Sequence, residues 1–241
     1  MTARLSNTEI YDFWTKQATE HRQSASASWS DIRVIEMEVA EISQRLKEGD
    51  RVLDIGCGAG QELLPFAMAG SFCVGMDVSP DVGLIGRKLF LKEKLSQRVA
   101  FLRSAAEQIP FTSGMFDLVI CRLAIPYTDN RLALTEMARI LRQGGVLLLK
   151  IHHARFYIDK FWRGLMDAEP LNSVHAARVL TAGALYGLLD RQVRNRLVTN
   201  ETFLSRHMLT RELGRCGLTI LREMPDSNPL TPSFVIEKMR A

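Results

Sequence analysis

The sequence lacks the hallmarks of several protein classes. No apolar stretch approaches the roughly 20 residues that a membrane-spanning helix needs, and residues 1–21 contain no apolar core of a secretion signal. The four cysteines do not fall into metal-ligand spacing. We therefore expect a cytoplasmic chain with reduced thiols, with no membrane span and no metal centre.

Patterns typical of nucleic-acid-binding proteins are also missing. The net charge is only +4, and no basic cluster alternates with aromatic side chains. The whole excess lies between Arg155 and Arg215, where ten basic residues face six acidic ones. Such a region is typical of a solvated helical surface, or of one that attracts an anionic substrate. We expect a small-molecule partner and no nucleic acid.

Short apolar runs alternate with helical patterns through the middle of the chain. The predicted strands cover residues 51–55, 72–76, 99–102, 116–122 and 146–151. Continuous apolar runs of this kind are typical of a parallel sheet that is covered on both faces. A helix at 207–216 and strands at 218–223 and 234–238 are predicted to close the fold.

Two further regions are predicted to be helical. The N-terminal region shows helical patterns over residues 6–21 and 31–46. Its aromatic residues Tyr11, Phe13 and Trp14 either cover a ligand or pack as part of an ordinary amphipathic helix. Residues 154–205 contain no convincing strand and indicate two or three helices. This second region interrupts the alternation and is predicted to be an insert.

The first predicted strand leads into a loop with glycine at every second position, Gly56, Gly58 and Gly60. Such a loop lets backbone N–H groups approach a ligand. Asp54 precedes the loop and Asp77 ends the second strand, a distance typical of a nucleotide-binding βαβ unit. Dinucleotide enzymes have Gly-x-Gly-x-x-Gly instead, and an acid before the loop suits a cation better than a pyrophosphate.

Several motifs follow one another in a characteristic order: Leu-Asp-Ile-Gly-Cys-Gly-Ala-Gly at 53–60, Gly-Met-Asp-Val-Ser at 75–79, Ala-Glu-Gln-Ile-Pro-Phe at 106–111, Phe-Asp-Leu-Val at 116–119 and Glu-Met-Ala-Arg-Ile-Leu-Arg-Gln-Gly-Gly at 136–145. In these motifs the chain resembles the class I S-adenosylmethionine-dependent methyltransferases, in the small-molecule branch called methyltransferase type 11. The resemblance covers residues 51–151 and the closing helix and strands.

This resemblance implies an α/β fold, a Rossmann-like three-layer sandwich. Its seven-stranded sheet is mostly parallel with an antiparallel last strand, and N-terminal helices and a helical insert after strand five are added. It implies a single domain over residues 1–241. Within that domain we expect a helical lid at 1–48, a cofactor-binding core at 49–153, a substrate insert at 154–206 and a closing helix and hairpin at 207–241. The chain would be a monomer or a homodimer.

The resemblance also implies S-adenosylmethionine as cofactor and S-adenosylhomocysteine as product. The residues expected to bind it are Asp54, Gly56, Cys57, Gly58 and Gly60 at the methionine moiety, Asp77 at the ribose, Val78, Ala105, Ala106 and Glu107 at the adenine, and Arg122 and Tyr11 bordering the cofactor. The family commonly has Asp where Ala105 stands. Ala105 offers no side-chain acceptor to the adenine amino group, which leaves the backbone N–H of Ala106 to bind the ring.

Three residues are candidates for contact with the acceptor: His152, His153 and Tyr127. They follow the fifth and fourth strands, at the sheet edge where α/β proteins place their ligands. The alternative for each histidine is a structural side chain bound to a loop carbonyl. The alternative for Tyr127 is an aromatic side chain that only packs against its neighbours. Methyl transfer is an in-line displacement that needs a general base only if the acceptor arrives protonated.

The function expected from the resemblance is biosynthetic methylation of an O or N atom, or of a carbon, of a small molecule. Two alternatives stay open. One is a non-catalytic or regulatory protein that only binds S-adenosylmethionine. The other is an RNA or protein methyltransferase, although Ile125-Pro126-Tyr127 matches the motif of RNA base enzymes only in its Pro-Tyr pair.

Overall fold

The computed structural model describes residues 42, 46–193, 201–224 and 228–240. Tyr11, the helix predicted at 6–21 and most of the helix predicted at 31–46 lie outside the described residues. Ile42, in that second helical pattern, is helical and buried in the core. The division of the chain at residues 48, 153 and 206 stays a prediction.

Seven strands form a single sheet. They are β1 (Arg51–Ile55), β2 (Phe72–Asp77), β3 (Val99–Arg103), β4 (Phe116–Arg122), β5 (Leu141–Lys150), β6 (Leu218–Met224) and β7 (Ser233–Lys238). Their spatial order is β3-β2-β1-β4-β5-β7-β6. The first five are parallel, whereas β7 pairs antiparallel with both β5 and β6. The α/β fold class, the mostly parallel sheet and the antiparallel last strand are confirmed.

The helices of the described residues lie between these strands. They are α1 (Leu64–Met68), α2 (Leu84–Lys92), α3 (Asn130–Ile140), α4 (Ala154–Met166), α5 (Pro170–Leu189) and α6 (Arg206–Arg215), with short 3-10 turns at Gln61–Leu63, Ser96–Arg98 and Ile125–Tyr127. Helices α4 and α5 occupy the predicted insert after β5 and pack against each other. None of the described helices has the length and hydropathy required to cross a membrane.

The start of β5 differs from the sequence prediction. Leu141 already pairs with Phe116, and an irregularity in register follows before Leu118 pairs with Val146. The strand therefore begins directly after α3 and not at residue 146. The Gly144-Gly145 pair does not end the pairing, because Gly144 accommodates the irregularity with a positive φ of 69°.

Both faces of the sheet are covered by apolar side chains. Leu53 and Val119 belong to the cluster that includes α3 and α6, whereas their neighbours Val52 and Leu118 belong to the cluster that includes α1 and α2. Successive residues of a strand point to opposite faces. Burial on both faces therefore explains why the central strands are continuously apolar.

A buried carboxylate connects α6 to α3, and the end of α5 pairs with the same group of arginines. Glu212 on α6 is inaccessible to solvent and accepts from Arg131 on α3 at 3.0 Å and from Arg215 at 2.6 Å. Asp190, at the end of α5, pairs with Arg131 at 3.4 Å and with Arg211 at 2.9 Å. Burial opposes ionisation of Glu212, but its arginine partners outweigh burial and lower its pKa.

Replacing Glu212 by Gln should destabilise the fold markedly. The change removes the buried one of two carboxylates that these arginines share with Asp190, and breaking a buried pair costs about 3–5 kcal/mol. Because Arg131 is 41% exposed, we expect a smaller loss, about 2–3 kcal/mol. Thermal melting above pH 5 measures the effect. The pKa of Glu212 is lower in the folded protein than in the unfolded chain, where it is about 4.3. Its stabilising effect is therefore complete above that unfolded pKa and is lost as the pH falls through the folded pKa.

Glu223→Gln provides the matched control. Among the described residues, Glu223 pairs with Arg206 at 3.3 Å, and its side chain is 46% exposed. An exposed pair contributes about 0–1 kcal/mol. Equal melting temperatures for the two variants would contradict the structural role of Glu212.

Candidate active site

The loop after β1 presents its backbone and no bulky side chains at its three glycines. Gly56, Gly58 and Gly60 have positive φ angles of 72°, 51° and 73°, which cost other residues roughly 1–2 kcal/mol. The backbone N–H groups of Gly56 and Cys57 donate to the carbonyl of Met76 at 2.7 and 3.1 Å. These bonds hold the loop against the carboxyl end of β2.

Of these glycines, the middle one faces open space. A Cβ added to Gly56 would lie 2.4 Å from the Cβ of Ala124, and one added to Gly60 would lie 2.7 Å from the ring of Phe101. A Cβ added to Gly58 would meet no atom within 4 Å. The outer glycines are therefore packed into the protein, whereas Gly58 leaves its main chain open to a ligand.

Asp54 is buried below this loop and lacks a partner for one of its oxygens. The residue is 2% exposed, and its Oδ2 atom makes no hydrogen bond to the described residues. Burial raises the pKa of Asp54 well above its ordinary range; Glu62 and Asp77 add to the rise, while Arg122 opposes it. A buried carboxylate in this state calls for a donor or a positive charge. An ammonium group of a ligand supplies both.

Asp77 connects the end of β2 with the glycine loop. Its Oδ2 accepts from the backbone N–H of Gly58 at 3.1 Å, and its Oδ1 accepts from that of Ser79 at 3.0 Å. These bonds fix the orientation of the carboxylate. Each oxygen keeps capacity for a further bond, so Asp77 can also accept from the hydroxyl groups of a ligand.

Acidic side chains gather around the loop. The guanidinium of Arg122 pairs with Glu62 at 3.2 Å, and both side chains are about a quarter exposed. The acidic groups of Asp54 and Asp77 lie beside this pair, and a cationic ligand would favour their ionised forms. The arrangement favours a cationic ligand.

The residues expected at the adenine differ in their surroundings. Val78 is 51% exposed and Ala106 is buried. The carboxylate of Glu107 accepts the backbone N–H of Asp129 at 2.7 Å, and Asp129 in turn caps the first turn of α3. Glu107 thus holds the loop between β4 and α3 in place. Ala105 stands in the loop after β3 and carries no polar side chain.

The thiol of Cys57 lies in the loop as an unreactive group. Cys57 is buried, and its Sγ donates weakly to the carbonyl of Gly58 at 3.8 Å. Burial raises the pKa of this thiol well above its ordinary value, and the negative charge of Asp54 adds to the effect. The thiol therefore stays protonated at neutral pH. All four cysteines are free thiols.

A second polar cluster lies past the carboxyl end of β5. The Nδ1 atom of His152 lies 2.9 Å from the hydroxyl of Tyr157 on α4. That hydroxyl donates to Oε1 of Glu201 at 2.6 Å, and Nε2 of His175 on α5 lies 2.9 Å from Oε2 of the same carboxylate. The backbone N–H of Thr202 donates to the carbonyl of Pro126 at 3.0 Å. This bond ties the segment that carries Glu201 to the turn after β4.

The other two acceptor-side candidates occupy different positions. His153 caps α4, because its Nδ1 accepts from the backbone N–H of Arg155 at 3.3 Å. Tyr127, in the turn after β4, keeps 54% of its surface exposed. Burial of its hydroxyl, the charge of Glu201 and a hydrogen bond to that carboxylate raise the pKa of Tyr127. Tyr127 and His152 thus both adjoin Glu201, whereas His153 faces the start of α4.

Two members of this cluster, Glu201 and His175, were not identified from the sequence. Glu201 is 44 positions away from Tyr157 in the chain, and neither Glu201 nor His175 belongs to a motif. Only the folding of the insert over the carboxyl ends of β4 and β5 brings them together. No signal in a single sequence reports such a contact.

Comparisons with known proteins agree with the geometry of the loop and the sheet. Residues 53–149 match the family model of the methyltransferase domain. An uncharacterized methyltransferase of Synechocystis is 31% identical over 150 residues, which are 61% of this chain and 67% of that protein. The uncharacterized methyltransferase YcgJ of Bacillus subtilis is 39% identical over 105 residues, 43% of this chain and 41% of YcgJ. The chain thus spans less than half the length of YcgJ in this alignment.

Solved structures share the fold. The crystal structure of YcgJ superposes with a TM-score of 0.58 at 19% identity, covering 87% of this chain and 99% of that one. A methyltransferase from Methanosarcina mazei, described as SAM-dependent, superposes with a TM-score of 0.59 at 18% identity, covering 83% and 97%. Together with the motif and sequence matches, these findings show that the chain belongs to the class I S-adenosylmethionine-dependent methyltransferases.

The described residues fit the cofactor of this family. S-adenosylmethionine carries an ammonium group and a sulfonium, which suit the unpartnered Oδ2 of Asp54. Its ribose hydroxyls suit the fixed carboxylate of Asp77. The open face of Gly58 leaves room for a ligand against the main chain.

Proposed function

We propose that this protein binds S-adenosylmethionine and transfers its methyl group to a small-molecule acceptor. The observation that carries the proposal is the buried Asp54 carboxylate with an unpartnered oxygen, placed directly before a loop that is open at Gly58. A structural aspartate would have its oxygens satisfied by the protein. We further propose that the enzyme acts in biosynthesis in the cytoplasm, as a monomer or a homodimer.

Each cofactor-binding residue has a proposed role. The methionine moiety binds to Asp54 and to the backbone of Gly56, Cys57, Gly58 and Gly60. The ribose binds to Asp77, and the adenine packs on Val78 beside Ala105, Ala106 and Glu107. The backbone of Arg122 borders the reacting centre, and Tyr11 belongs to a lid over the cofactor. The cofactor supplies a methyl group that is already activated by its sulfonium, so the protein mainly has to align the acceptor and exclude water.

The proposed acceptor site lies beside the cluster of His152, Tyr157, His175 and Glu201. His152 is the proposed base, and Tyr127 is the proposed side chain at the acceptor. His153 remains a weaker candidate for the base, because its Nδ1 accepts a bond from Arg155 at the start of α4. A base is required for an acceptor that arrives protonated.

The names of two relatives support a small molecule as the acceptor. A sterol 4-C-methyltransferase of Caenorhabditis elegans is 29% identical over 105 residues. A ubiquinone/menaquinone biosynthesis C-methyltransferase of Coxiella burnetii is 27% identical over 109 residues. Their names also include carbon among the atoms that can accept the methyl group.

A transfer assay tests the proposal. The full chain is incubated with S-adenosylmethionine that carries a radiolabelled methyl group, together with a fractionated cell extract. We expect label in the small-molecule fraction and an equal amount of S-adenosylhomocysteine. Gly58→Ala is the control, because it removes the open face of the loop.

Three outcomes would contradict the proposal. The first is binding of the cofactor with no transfer to any fraction, which favours a protein that only binds it. Such a result has a parallel in the fold, because the [4+2]-cyclase SpnF shares it at 23% identity and a TM-score of 0.56. Label that is released by nuclease or by protease would show an RNA or a protein as the acceptor.

A further inference from the structure

Four polar side chains from four parts of the chain meet beside the end of β5. His152 follows that strand, Tyr157 belongs to α4, His175 belongs to α5, and Glu201 lies in the segment before α6. His152, Tyr157 and Glu201 are 5%, 0% and 8% exposed. Buried polar groups have to be satisfied by one another. We call this set the His152 relay.

The direction of the hydrogen bonds in the relay follows from the charge of Glu201. Burial would raise the pKa of this carboxyl, but hydrogen bonds from His175 and Tyr157 outweigh burial and lower it. Glu201 is therefore ionised at neutral pH and can only accept. The 2.6 Å bond from Tyr157 to Oε1 consequently uses the single proton of the tyrosine hydroxyl.

This proton assignment fixes the tautomer of His152. The Tyr157 oxygen has no proton left for His152, so the 2.9 Å contact must be a bond from Nδ1–H of the histidine to that oxygen. Burial lowers the pKa of His152 to about 4, which makes the ring neutral at pH 7. In a neutral ring with its proton on Nδ1, Nε2 carries a free lone pair.

Two further contacts hold the ring in place. The ring of Phe156 stacks on His152 with centroids 4.3 Å apart and an angle of 1° between the planes. Tyr157 contacts the same ring edge-on, with centroids 5.6 Å apart. The ring is thus oriented through Nδ1 and its faces, and no described residue forms a hydrogen bond to Nε2.

We propose that Tyr157, Glu201 and His175 position His152 so that its Nε2 atom removes a proton from a hydroxyl group of the acceptor. The proposal rests on the proposed function and adds the chemical class of the acceptor. His152 is the catalytic residue in it, and the other three are positioning residues. Their part is comparable to that of an acid that holds a catalytic histidine in the productive tautomer.

The environment of His152 favours a hydroxyl over other acceptors. A carboxylate has no proton to give and is repelled by Glu201. An ammonium group loses its hydration on burial, whereas a hydroxyl group is neutral and already carries the proton that Nε2 would accept. In the proposed step the hydroxyl proton moves to Nε2, and an oxygen lone pair forms the bond to the methyl carbon. The electron pair of the broken carbon–sulfur bond stays on sulfur, and the proton later leaves Nε2 for solvent.

Nitrogen NMR of isotope-labelled histidine tests the positioning directly and needs no acceptor. We expect His152 as the Nδ1–H tautomer in the unmodified protein, neutral down to about pH 5. The exposed His207 serves as the reference, and His→Gln variants assign the signals. In Tyr157→Phe the preference for Nδ1–H should disappear. A wild-type His152 that is protonated on Nε2, or charged at neutral pH, overturns the proposal even if the variant does not fold.

The labelled product of the transfer assay tests the class of acceptor. A methyl ether keeps its label in mild alkali, does not extract into acid and releases labelled iodomethane in hot hydriodic acid, and this result is expected. Label released as methanol by alkali identifies a carboxyl ester, label that extracts into acid identifies an amine, and label that is neither extracted nor released by hydriodic acid identifies a carbon acceptor; each of these results overturns the proposal. Tyr157→Phe should slow transfer about tenfold with unchanged cofactor affinity. Absence of any transfer refutes the proposed function, whereas the NMR result tests the tautomer separately.

Discussion

Replacing Asp54 by Asn should make the free protein more stable at neutral pH while weakening its binding of S-adenosylmethionine about 10- to 100-fold. The loss of affinity corresponds to a hydrogen bond to a charged group, about 1.5–3 kcal/mol. The gain in stability arises because Asn has no charge to bury. Opposite changes in stability and affinity are typical of a residue that serves a ligand and not the fold.

The pH dependence of this effect has a defined sign. An acid whose folded pKa is raised destabilises the folded state above its unfolded pKa, which is about 3.9 for Asp. Because burial raises the pKa of Asp54, the stability difference between the Asp54→Asn variant and the unmodified protein should be small below about pH 4 and should grow as the pH rises towards the folded pKa. Thermal melting of the free protein over this range and calorimetric titration with S-adenosylhomocysteine measure the two effects.

Asp117→Asn is the matched control for this prediction. Asp117 also lies on a central strand, but its carboxylate pairs with Arg142 and accepts the backbone N–H of Arg51 at 2.8 Å. Its replacement should lower stability and leave affinity unchanged. A loss of stability in both variants, with equal affinities, would contradict the role proposed for Asp54.

Replacing Gly58 by Ala should abolish measurable cofactor binding or weaken it at least about 100-fold. The added methyl group would project into the open space in front of the loop, where the cofactor must approach the backbone. It also imposes a positive φ of 51° on Ala, at a cost of roughly 1–2 kcal/mol in stability. Calorimetric titration and thermal melting distinguish the steric effect on binding from the effect on the backbone.

Gly217→Ala separates these two effects further. Gly217 also has a positive φ, of 70°, and a Cβ there would meet no atom within 4 Å. It lies between α6 and β6, away from the glycine loop. We expect similar losses of stability in both variants and a loss of affinity in Gly58→Ala alone. If Gly217→Ala weakened binding equally, the effect would be one of general stability.

The sheet was predictable because its signals are local. The apolar runs of β1 and β4 were predicted with the bounds that the structure shows, since burial on both faces leaves few polar positions within them. The start of β5 was not predicted correctly. Pairing at Leu141 depends on the neighbouring strand, and it continues through Gly144-Gly145, a glycine pair of the kind that usually marks a turn.

The residues of the candidate site also fall into those that local sequence signals predict and those that only the packing of the fold reveals. Asp54 and the glycines lie within a few positions of one another, so their spacing alone indicated a ligand site. Glu107 lies in a motif as well, yet its bond to Asp129 shows that it also supports the next loop. Glu201 and His175 meet Tyr157 only through the packing of the insert, and the contacts that make them important are absent from the linear pattern.

The structure of the full chain with S-adenosylhomocysteine tests the central claim most directly. We predict that the ammonium group of the ligand lies within hydrogen-bond distance of Asp54 and that both ribose hydroxyls bind the carboxylate of Asp77. We also predict that the main chain at Gly58 contacts the ligand. A ligand bound elsewhere, or a ribose remote from Asp77, would contradict the assignment of this site.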